Sequence, residues 1–233
     1  MRLNKFISHH GICSRRDADK LIESGRVKVN NKVQNTPYIV LDSDIIMVDD
    51  KAIQRETELK IWAFYKPTGI ITSHKDENNR PTVFDQPAVQ KLRDQHGYII
   101  SVGRLDYNSE GLLLLTNSPD FAHEYEKPSS HLKRTYRVRV FGDINYKALD
   151  ALKNGITIED IHYKPIHVEY DVKKNNGQNT WMLITLTEGK NREIRRVLNH
   201  FDLQVNRLIR VAYGPYSLGD LKVGEIKALE KNE

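Results

Sequence analysis

The spacing of apolar residues at the start of the chain predicts two short helices. Leu3, Phe6 and Ile7 follow the i, i+3, i+4 pattern of an amphipathic helix. A second helix is predicted between Ser14, whose hydroxyl can cap its first turn, and Gly25, which suits the left-handed position after its last turn. Both helices are amphipathic, so we expect each to pack one face against a small core.

A small sheet is predicted after the two helices. Val27, Val29 and Val33 flank the turn-forming pair Asn30 and Asn31, and residues 45–48 form a further apolar run. A unit of this size is marginally stable by itself. We therefore expect an appended module rather than an independent protein.

The composition changes near residue 50. Residues 49–60, DDKAIQRETELK, are polar and charged, which is typical of a linker. We predict three parts: a first module over residues 1–48, a flexible linker over residues 49–60, and a larger domain over residues 61–233.

Strands dominate the pattern of the larger domain. The stretch IWAFYKPTGIITS, broken by Pro67 and Gly69, predicts a strand, a turn and a second strand. RTYRVRVF alternates apolar and basic positions, with Tyr136 on the apolar face, and TWMLITLTEG is a further strand. NREIRRVLNHF changes to the helical period, with its arginines outside the apolar stripe. The predicted fold class is α+β, built on a mostly antiparallel mixed sheet.

Composition and charge narrow the function classes. The chain has 39% hydrophobic and 29% charged residues, as soluble globular proteins do, and a formal net charge of +5. Its basic residues concentrate in three stretches, residues 1–32, 132–140 and 190–210. One such run is usually a solvated face, but three in separate elements favour a shared surface for a polyanion.

Several features make other classes improbable. Cys13 is the single cysteine, so neither an intramolecular disulfide nor a thiolate zinc cluster is expected. The start of the chain is too polar for a signal peptide, and no apolar run is long enough to span a membrane. The histidines form no HExxH-type pattern, so no metal site is predicted. We expect a cytoplasmic protein.

The stretch GRLDYNSEGLLLLTN contains the most informative acid, Asp106. A lone aspartate in a loop is usually a cap, and that interpretation remains open. Here, however, Leu112 to Leu115 must be buried, so the preceding segment runs along a core edge, where an ionised acid needs a cationic partner. Arg104 and the arginines of the later helix can supply one. A carboxylate held ionised in this way can act as a nucleophile or a base, which indicates an RNA-binding enzyme.

The first 33 residues, MRLNKFISHHGICSRRDADKLIESGRVKVNNKV, resemble the S4 RNA-binding domain. The resemblance implies that the two helices are set against structured RNA. The residues expected to contact RNA are Arg2, Lys5, Arg15, Arg16, Lys20 and Arg26.

Five motifs in the larger domain resemble the RNA pseudouridine synthases that carry an S4 domain. They are YKPTG, GRLDYNSEGLLLLTN, KRTYRVRV, LTEGKNREIRR and RLIRVAYGPYSLGDLKVGE, in the order of the family. The resemblance implies isomerisation of uridine to pseudouridine without a cofactor or a metal. It also implies that Asp106 is the catalytic aspartate, which detaches uracil from its ribose. Whether the acid attacks the sugar or the base, or assists a glycal route, stays open.

The resemblance also assigns roles to neighbouring residues. Tyr136 matches the tyrosine that stacks on the target uracil, the alternative being a core aromatic. Arg195 matches the basic residue that pairs with the aspartate, the alternative being a phosphate contact. Arg104 matches the arginine that fills the space left by the extruded nucleotide. Further substrate-binding candidates are Arg192 and Arg196, as weaker alternatives for the pairing, Ile194 and Leu208, which would pack the pocket, and Lys66, for which architecture is favoured over catalysis.

The substrate implied by the resemblance is ribosomal RNA, free or in an assembly intermediate. RPTVFD, LTEGKNREIRR and RLIRVAYG are most similar to the enzymes that modify large-subunit (23S) rRNA, and small-subunit (16S) rRNA is the alternative. An RNA-binding or ribosome-assembly factor on the same scaffold is a further hypothesis. We expect a monomer without a membrane partner.

Overall fold

A computed structural model describes residues 1–54, 58–170 and 179–230. The first module has two helices, α1 (Leu3–His9) and α2 (Arg15–Glu23), and four strands, β1 (Val27–Val29), β2 (Lys32–Val33), β3 (Ile46–Val48) and β4 (Lys51–Ala52). The strands form a sheet in the order β2-β1-β3-β4. The predicted helices and the hairpin are confirmed.

Local chemistry sets the bounds of α2 as the sequence predicts. The hydroxyl of Ser14 accepts a hydrogen bond from the backbone N–H of Asp17 at 3.2 Å, which satisfies one free donor of the first turn. Gly25 has φ +73°, the left-handed conformation that ends many helices. The apolar stripe buries Ala18 and Ile22 against α1 and the sheet, which leaves Arg15 and Arg16 exposed.

The predicted linker begins too early. β4 pairs with β3 through a turn at Asp49 and Asp50, both with positive φ, so residues 49–52 belong to the first sheet. Ile53 also packs against the core of the first module. On the far side, the backbone N–H of Lys60 donates to Asn117 Oδ1 at 2.9 Å. Among the described residues, the connection is therefore shorter than residues 49–60.

The second domain is built on a large sheet. Its strands are β5 (Ile61–Lys66), β6 (Ile100–Val102), β7 (Glu110–Thr116), β8 (Arg134–Phe141), β9 (Ile156–Ile158), β10 (Ile161–Tyr163), β11 (His167–Tyr170), β12 (Asn179–Leu186), β13 (Gln204–Tyr213), β14 (Tyr216–Ser217) and β15 (Ile226–Leu229). Its helices are α3 (Pro87–His96), α4 (Pro119–Glu126), α5 (Tyr146–Asp150) and α6 (Glu193–His200).

The large sheet has nine strands in the path β11-β12-β8-β13-β7-β5-β15, with β14 beside β13 and β6 beside β7. Its described pairs are antiparallel except β13 with β7, which is parallel. β9 and β10 form a separate hairpin. The α+β class and the mostly antiparallel mixed sheet are confirmed.

The prediction of a second strand in IWAFYKPTGIITS is wrong. β5 forms as expected and is buried along its length, but after Gly69 only an isolated bridge joins Ile71 to Thr82. Pro67 and Gly69 turn the chain away from the sheet. The segment then runs along the edge of the domain, where His74 stacks on Phe84 with 3.6 Å between the ring centroids.

The first module contacts the second domain directly. The backbone N–H of Tyr98 donates to the carbonyl of Gly11 at 3.1 Å, and His9 Nδ1 lies 3.5 Å from Asp120 Oδ1. These contacts tie the end of α1 to α3 and α4. None of the helices formed by the described residues is long and apolar enough to cross a membrane.

Candidate active site

A cavity of about 1390 Å³ lies where the first module meets the large sheet. The start of α2 lines one side of it, and the loop between β6 and β7 lines another. Further walls come from residues 72–77, from β8 and β13, and from the loop before α6 with the start of that helix. One cavity therefore joins residues that are far apart in the chain, and basic side chains from both parts of the protein face it.

Asp106 lies in the loop between β6 and β7, at the wall of this cavity. A turn holds the loop, because the N–H of Ser109 donates to the carbonyl of Asp106 at 3.0 Å. Asp106 is half-buried, whereas the leucines of β7 that follow are fully buried. As the sequence indicates, the acid stands at the edge of the core.

The buried side chain of Lys66 holds the loop of Asp106 by hydrogen bonds to its backbone. Its side chain is fully buried at the end of β5. Its Nζ donates to the backbone carbonyls of Pro67 at 2.9 Å, Asp106 at 3.1 Å and Ser109 at 2.9 Å. Burial lowers the pKa of Lys66 to about 8, and the carboxylates of Asp106 and Glu110 oppose the shift. Because donation to three carbonyls uses all three hydrogens of the ammonium form, this arrangement fits a charged Lys66.

The guanidinium of Arg195 also holds this loop and connects it to β13. Its Nη2 donates to the carbonyl of Asn108 at 2.9 Å and its Nη1 to the carbonyl of Val205 at 3.0 Å. Among the described residues it makes no ion pair with Asp106, so the direct pair expected from the sequence is not formed. Burial lowers the pKa of Arg195, Arg192 adds to this, and the nearby charge of Asp106 opposes it.

The apolar floor of the cavity comes from β8, β13 and α6. Tyr136 lies on the face of β8 that also buries Val138. It packs against two hydrophobic clusters, one formed around β8, β12 and α6 and the other around β5, β7 and α3. Leu208 of β13 and Ile194 of α6 are buried beside it and line the cavity. A flat base entering the cavity would find one aromatic ring and two aliphatic side chains.

Two carboxylates stabilise the loop before α6. The side chain of Glu193 is buried and accepts a hydrogen bond from the N–H of Lys190 at 2.9 Å, while Glu188 accepts from Lys190 Nζ and from the N–H of Lys164. Burial raises the pKa of Glu193 to about 7. The hydrogen bond from the N–H of Lys190 opposes this rise in the pKa of Glu193, and the charge of Glu188 adds to it.

Comparison with known proteins agrees with this arrangement. Residues 60–200 match the family model described as RNA pseudouridylate synthase, and residues 1–46 match the S4 domain. The first match covers more than half of the chain. The chain belongs to the RNA pseudouridylate synthase family. It is therefore an RNA-modifying isomerase with an S4 RNA-binding domain at its start.

Individual relatives support the assignment to the pseudouridylate synthases. An uncharacterized RNA pseudouridine synthase of Rickettsia typhi is 46% identical, over 98% of this chain and 91% of the relative. Ribosomal large subunit pseudouridine synthase B of Salmonella typhi is 39% identical, over 93% of this chain and 75% of the relative. A crystal structure of a pseudouridylate synthase matches with a TM-score of 0.65 and 26% identity, over 99% of this chain and 96% of the other.

Some residues predicted for this synthase meet at the cavity and others do not. Those that line it are Arg15, Arg16, Lys20, Arg104, Asp106, Tyr136, Arg192, Ile194 and Leu208. Those outside its lining are Arg2, Lys5, Arg26, Lys66, Arg195 and Arg196. The substrate contact expected of Lys66 is wrong, because its Nζ is fully buried on three carbonyls. Arg26 pairs with Asp49 at 2.5 Å, and Arg196 is exposed on α6.

Sequence patterns did not predict several residues at this synthase's cavity. Arg210 is 2% exposed and lines the floor, and Arg134 lies near it, with the ring of Tyr213 between them at 4.9 and 4.7 Å from the two guanidinium carbons. Both arginines belong to basic stretches that the sequence interprets as surface. Only their positions on the cavity face of β8 and β13 separate them from exposed arginines, and strand pairing decides that face.

The described residues bring no three His, Cys, Asp or Glu side chains together as a group that could hold a metal ion. The cavity combines an acid on a braced loop, an aromatic ring and several fixed cations. This set of groups suits a nucleophilic or proton-transfer step on an anionic polymer.

Proposed function

We propose that this enzyme converts one uridine of large-subunit ribosomal RNA to pseudouridine, with Asp106 as its catalytic residue. The observation that carries the proposal is the position of Asp106, on a loop held by Lys66 and Arg195, at the wall of a cavity that basic residues of the S4 domain also line. A pure binding surface has no need of a half-buried acid in a loop braced by buried cations.

The reaction is an isomerisation, so no atom is gained or lost. The C1′–N1 glycosidic bond breaks, the detached uracil turns, and a C1′–C5 bond forms while the hydrogen on C5 is removed and N1 gains one. Asp106 would begin this sequence as a carboxylate, by attack at the sugar or the base or by assisting elimination. These steps need neither a redox partner nor a metal.

Neighbouring residues would orient the base. We propose that Tyr136 stacks on the uracil, with Leu208 and Ile194 extending the apolar surface beside it, because these side chains form the apolar floor. The target must leave its stack to reach the floor, since its reacting atoms are inaccessible inside paired RNA. Arg104 is exposed at the rim and would fill the vacated space.

Several cations would hold the RNA around the cavity. Arg15, Arg16 and Lys20 of α2 face it from the S4 domain, and Arg192 faces it from the start of α6. Arg2 and Lys5 lie outside the cavity lining and would contact more distant phosphates. A single chain supplies the acid, the aromatic ring and the S4-domain cations of the proposed site. We propose that the enzyme acts as a monomer.

The large subunit is proposed as the source of the substrate because of one relative. The synthase from Salmonella typhi, which is 39% identical, is named for the large ribosomal subunit. Small-subunit RNA is the alternative target.

Pseudouridine mapping of both ribosomal RNAs, from cells with and without this protein, tests the proposal. Loss of one large-subunit site is the expected result. Loss of a small-subunit site would keep the reaction and overturn the proposed target. No change in either RNA would contradict the proposal and favour a binding or assembly role.

A further inference from the structure

Arg210 is a buried arginine for which the described residues supply no carboxylate partner. It is 2% exposed on β13, and its Nε donates to the carbonyl of Leu112 at 2.7 Å. Within the described part of the chain, its buried Nη2 has no hydrogen-bond partner, and its guanidinium takes part in no salt bridge. Arginine keeps its charge in proteins, and a buried charge is costly unless it is paired. A group that enters the cavity could supply that partner.

The position of Arg210 indicates which group this is. In the antiparallel pair of β8 and β13, Arg210 lies directly opposite Tyr136. Side chains in such positions have Cβ atoms about 5 Å apart and share one face of the sheet. Both residues line the cavity, as does Leu208, two positions earlier on β13. A base stacked on Tyr136 would therefore present an edge to Arg210.

Other buried or half-buried cations near the loop of Asp106 are already engaged. Lys66 donates to three carbonyls, and Arg195 to two. Arg134 uses Nη1 for the carbonyls of Leu132 and Thr187, and Nη2 for the hydroxyl of Tyr213. Nε of Arg195 also lacks a partner among the residues that the structure describes, but Arg195 lies outside the cavity lining. Arg210 differs because its unpartnered N–H group belongs to a residue that lines the cavity next to the position of the base.

The edge of uracil offers acceptors for this group. When the C1′–N1 bond breaks, the electron pair stays with the base and is shared between N1 and the carbonyl oxygens O2 and O4. We propose that Arg210 donates a hydrogen bond to one of these oxygens and stabilises the negative charge on the detached uracil. The inference rests on the proposed function. Fixed donors placed where charge develops contribute about 100-fold or more to the rate of a reaction.

The same contact would favour uracil over cytosine if it is made at position 4. Cytosine carries an amino group there, and an amino group cannot accept from a guanidinium, which only donates. Arg210 would thus contribute to base selection as well as to rate.

Sulfur substitution in the substrate tests the contact atom by atom. The substrate is the rRNA fragment that contains the uridine identified by mapping, with that uridine replaced by 2-thiouridine or 4-thiouridine. Sulfur is a weaker acceptor than oxygen, so the wild-type kcat should fall about tenfold for one of the two RNAs. For Arg210→Met, kcat on the normal RNA should fall about 100-fold with KM little changed, and the effect of sulfur should vanish.

Three comparisons keep the result interpretable. Arg139→Met removes an arginine from the opposite face of β8 and should leave both kcat and the sulfur effect unchanged. Arg210→Lys keeps the charge and should retain more of kcat than Arg210→Met. It replaces Arg210→Met as the test variant if Arg210→Met folds poorly. The wild-type enzyme alone also tests the contact, because it needs no variant to fold.

Two outcomes would overturn the inference. The first is that neither thio-RNA slows the wild-type enzyme. The second is that Arg210→Met retains the wild-type sulfur effect, which would make Arg210 a structural residue. Failure of the proposed function is a separate result, since the wild-type enzyme would then form no pseudouridine in the unsubstituted RNA.

Discussion

Buried charges hold the loop of Asp106 in place. Lys66 joins three carbonyls of that region, and Arg195 joins the loop to β13. In an ordinary loop, water would donate the hydrogen bonds to these carbonyls, and an acid on the loop would move with the loop. Here the carbonyls are satisfied by cations with fixed positions, so the backbone that carries Asp106 is held in place before RNA binds.

His74 shows how burial at a single residue makes stability depend on pH. Its ring lies between Phe84 and Tyr98, at 3.6 and 4.8 Å between centroids. Burial lowers the pKa of His74 from 6.5 to about 4, Arg93 adds to this, and Asp17 opposes it. Between these values the unfolded chain binds a proton that the folded protein does not, so acidification favours unfolding.

We therefore expect His74 to reduce the free energy of unfolding by about 2 kcal/mol between pH 7 and pH 5. His74→Phe keeps a ring in the stack and removes the titrating group, so urea titrations should show a smaller loss than in wild type. His123→Phe replaces an exposed histidine and should behave as wild type does. Equal losses in wild type and His74→Phe would contradict this explanation.

At the residue scale, the sequence predicts that Asp106 lies at a core edge but not how its loop is held. The leucines of β7 reveal that Asp106 stands at a core edge, because their burial follows from composition. The partners of Lys66 and the distance between Arg195 and Asp106 depend on where strands far apart in sequence end. No local pattern contains that information.

The candidate active site contains one unusual strand pair. β7 and β13 are parallel within a mostly antiparallel sheet, and they meet at Gly111 and Arg210. Gly111 has φ +102°, and a Cβ there would lie 2.4 Å from the carbonyl oxygen of Arg210. Gly111 also pairs with Lys66 of β5. The glycine therefore lets the strands that carry both buried cations approach closely.

Gly111→Ala should be strongly destabilising, by about 3 kcal/mol or more, because the methyl group meets backbone that cannot move aside. Thermal unfolding checks this, and modification activity should fall as well. Gly219→Ala is the matched control. Its φ is +54°, but no atom lies within 4 Å of the added Cβ, so its cost should be about 1 kcal/mol. Similar losses for both variants would refute the packing argument.

At the element scale, periodicity predicts most helices and the long strands. β8 alternates apolar and basic side chains over residues 136–140, β12 contains a continuous apolar run and its burial alternates, and α6 has a clear apolar stripe. Tertiary packing agrees with local pattern in these elements. The failures occur where long-range contacts decide, as in the residues after Gly69 that form only one bridge. The pairing of Lys51 and Ala52 with β3 is another case, because these exposed residues carry no apolar signal.

The S4 domain and the synthase domain together form one basic cavity. Gly11 contacts Tyr98 through the backbone, and α2 faces the loop of Asp106 across the cavity. This arrangement differs from the free tether expected from the sequence of the linker. Composition reveals a basic module and a charged connection, but the contact between two folded surfaces has no sequence pattern of its own.

Arg15→Gln with Arg16→Gln should weaken RNA binding and reduce its dependence on salt, because each phosphate contact releases counterions. The slope of log K against log salt should fall in magnitude by about 1 to 2. Filter binding at several salt concentrations measures it. Lys147→Gln with Lys153→Gln removes the same charge from α5 and its end, away from the cavity, and should change the slope less. An unchanged slope in the α2 variant would exclude phosphate contacts by these arginines.

We propose that Asp106 carries out the chemistry while the basic surfaces bind RNA. The most direct measurement compares purified wild type and Asp106→Asn for RNA affinity and for pseudouridine formation in ribosomal RNA. Asp220→Asn, a substitution in the turn before β15, serves as the control. We predict that Asp106→Asn binds RNA with nearly wild-type affinity and forms no pseudouridine, while Asp220→Asn is fully active. Full activity of Asp106→Asn would contradict the account.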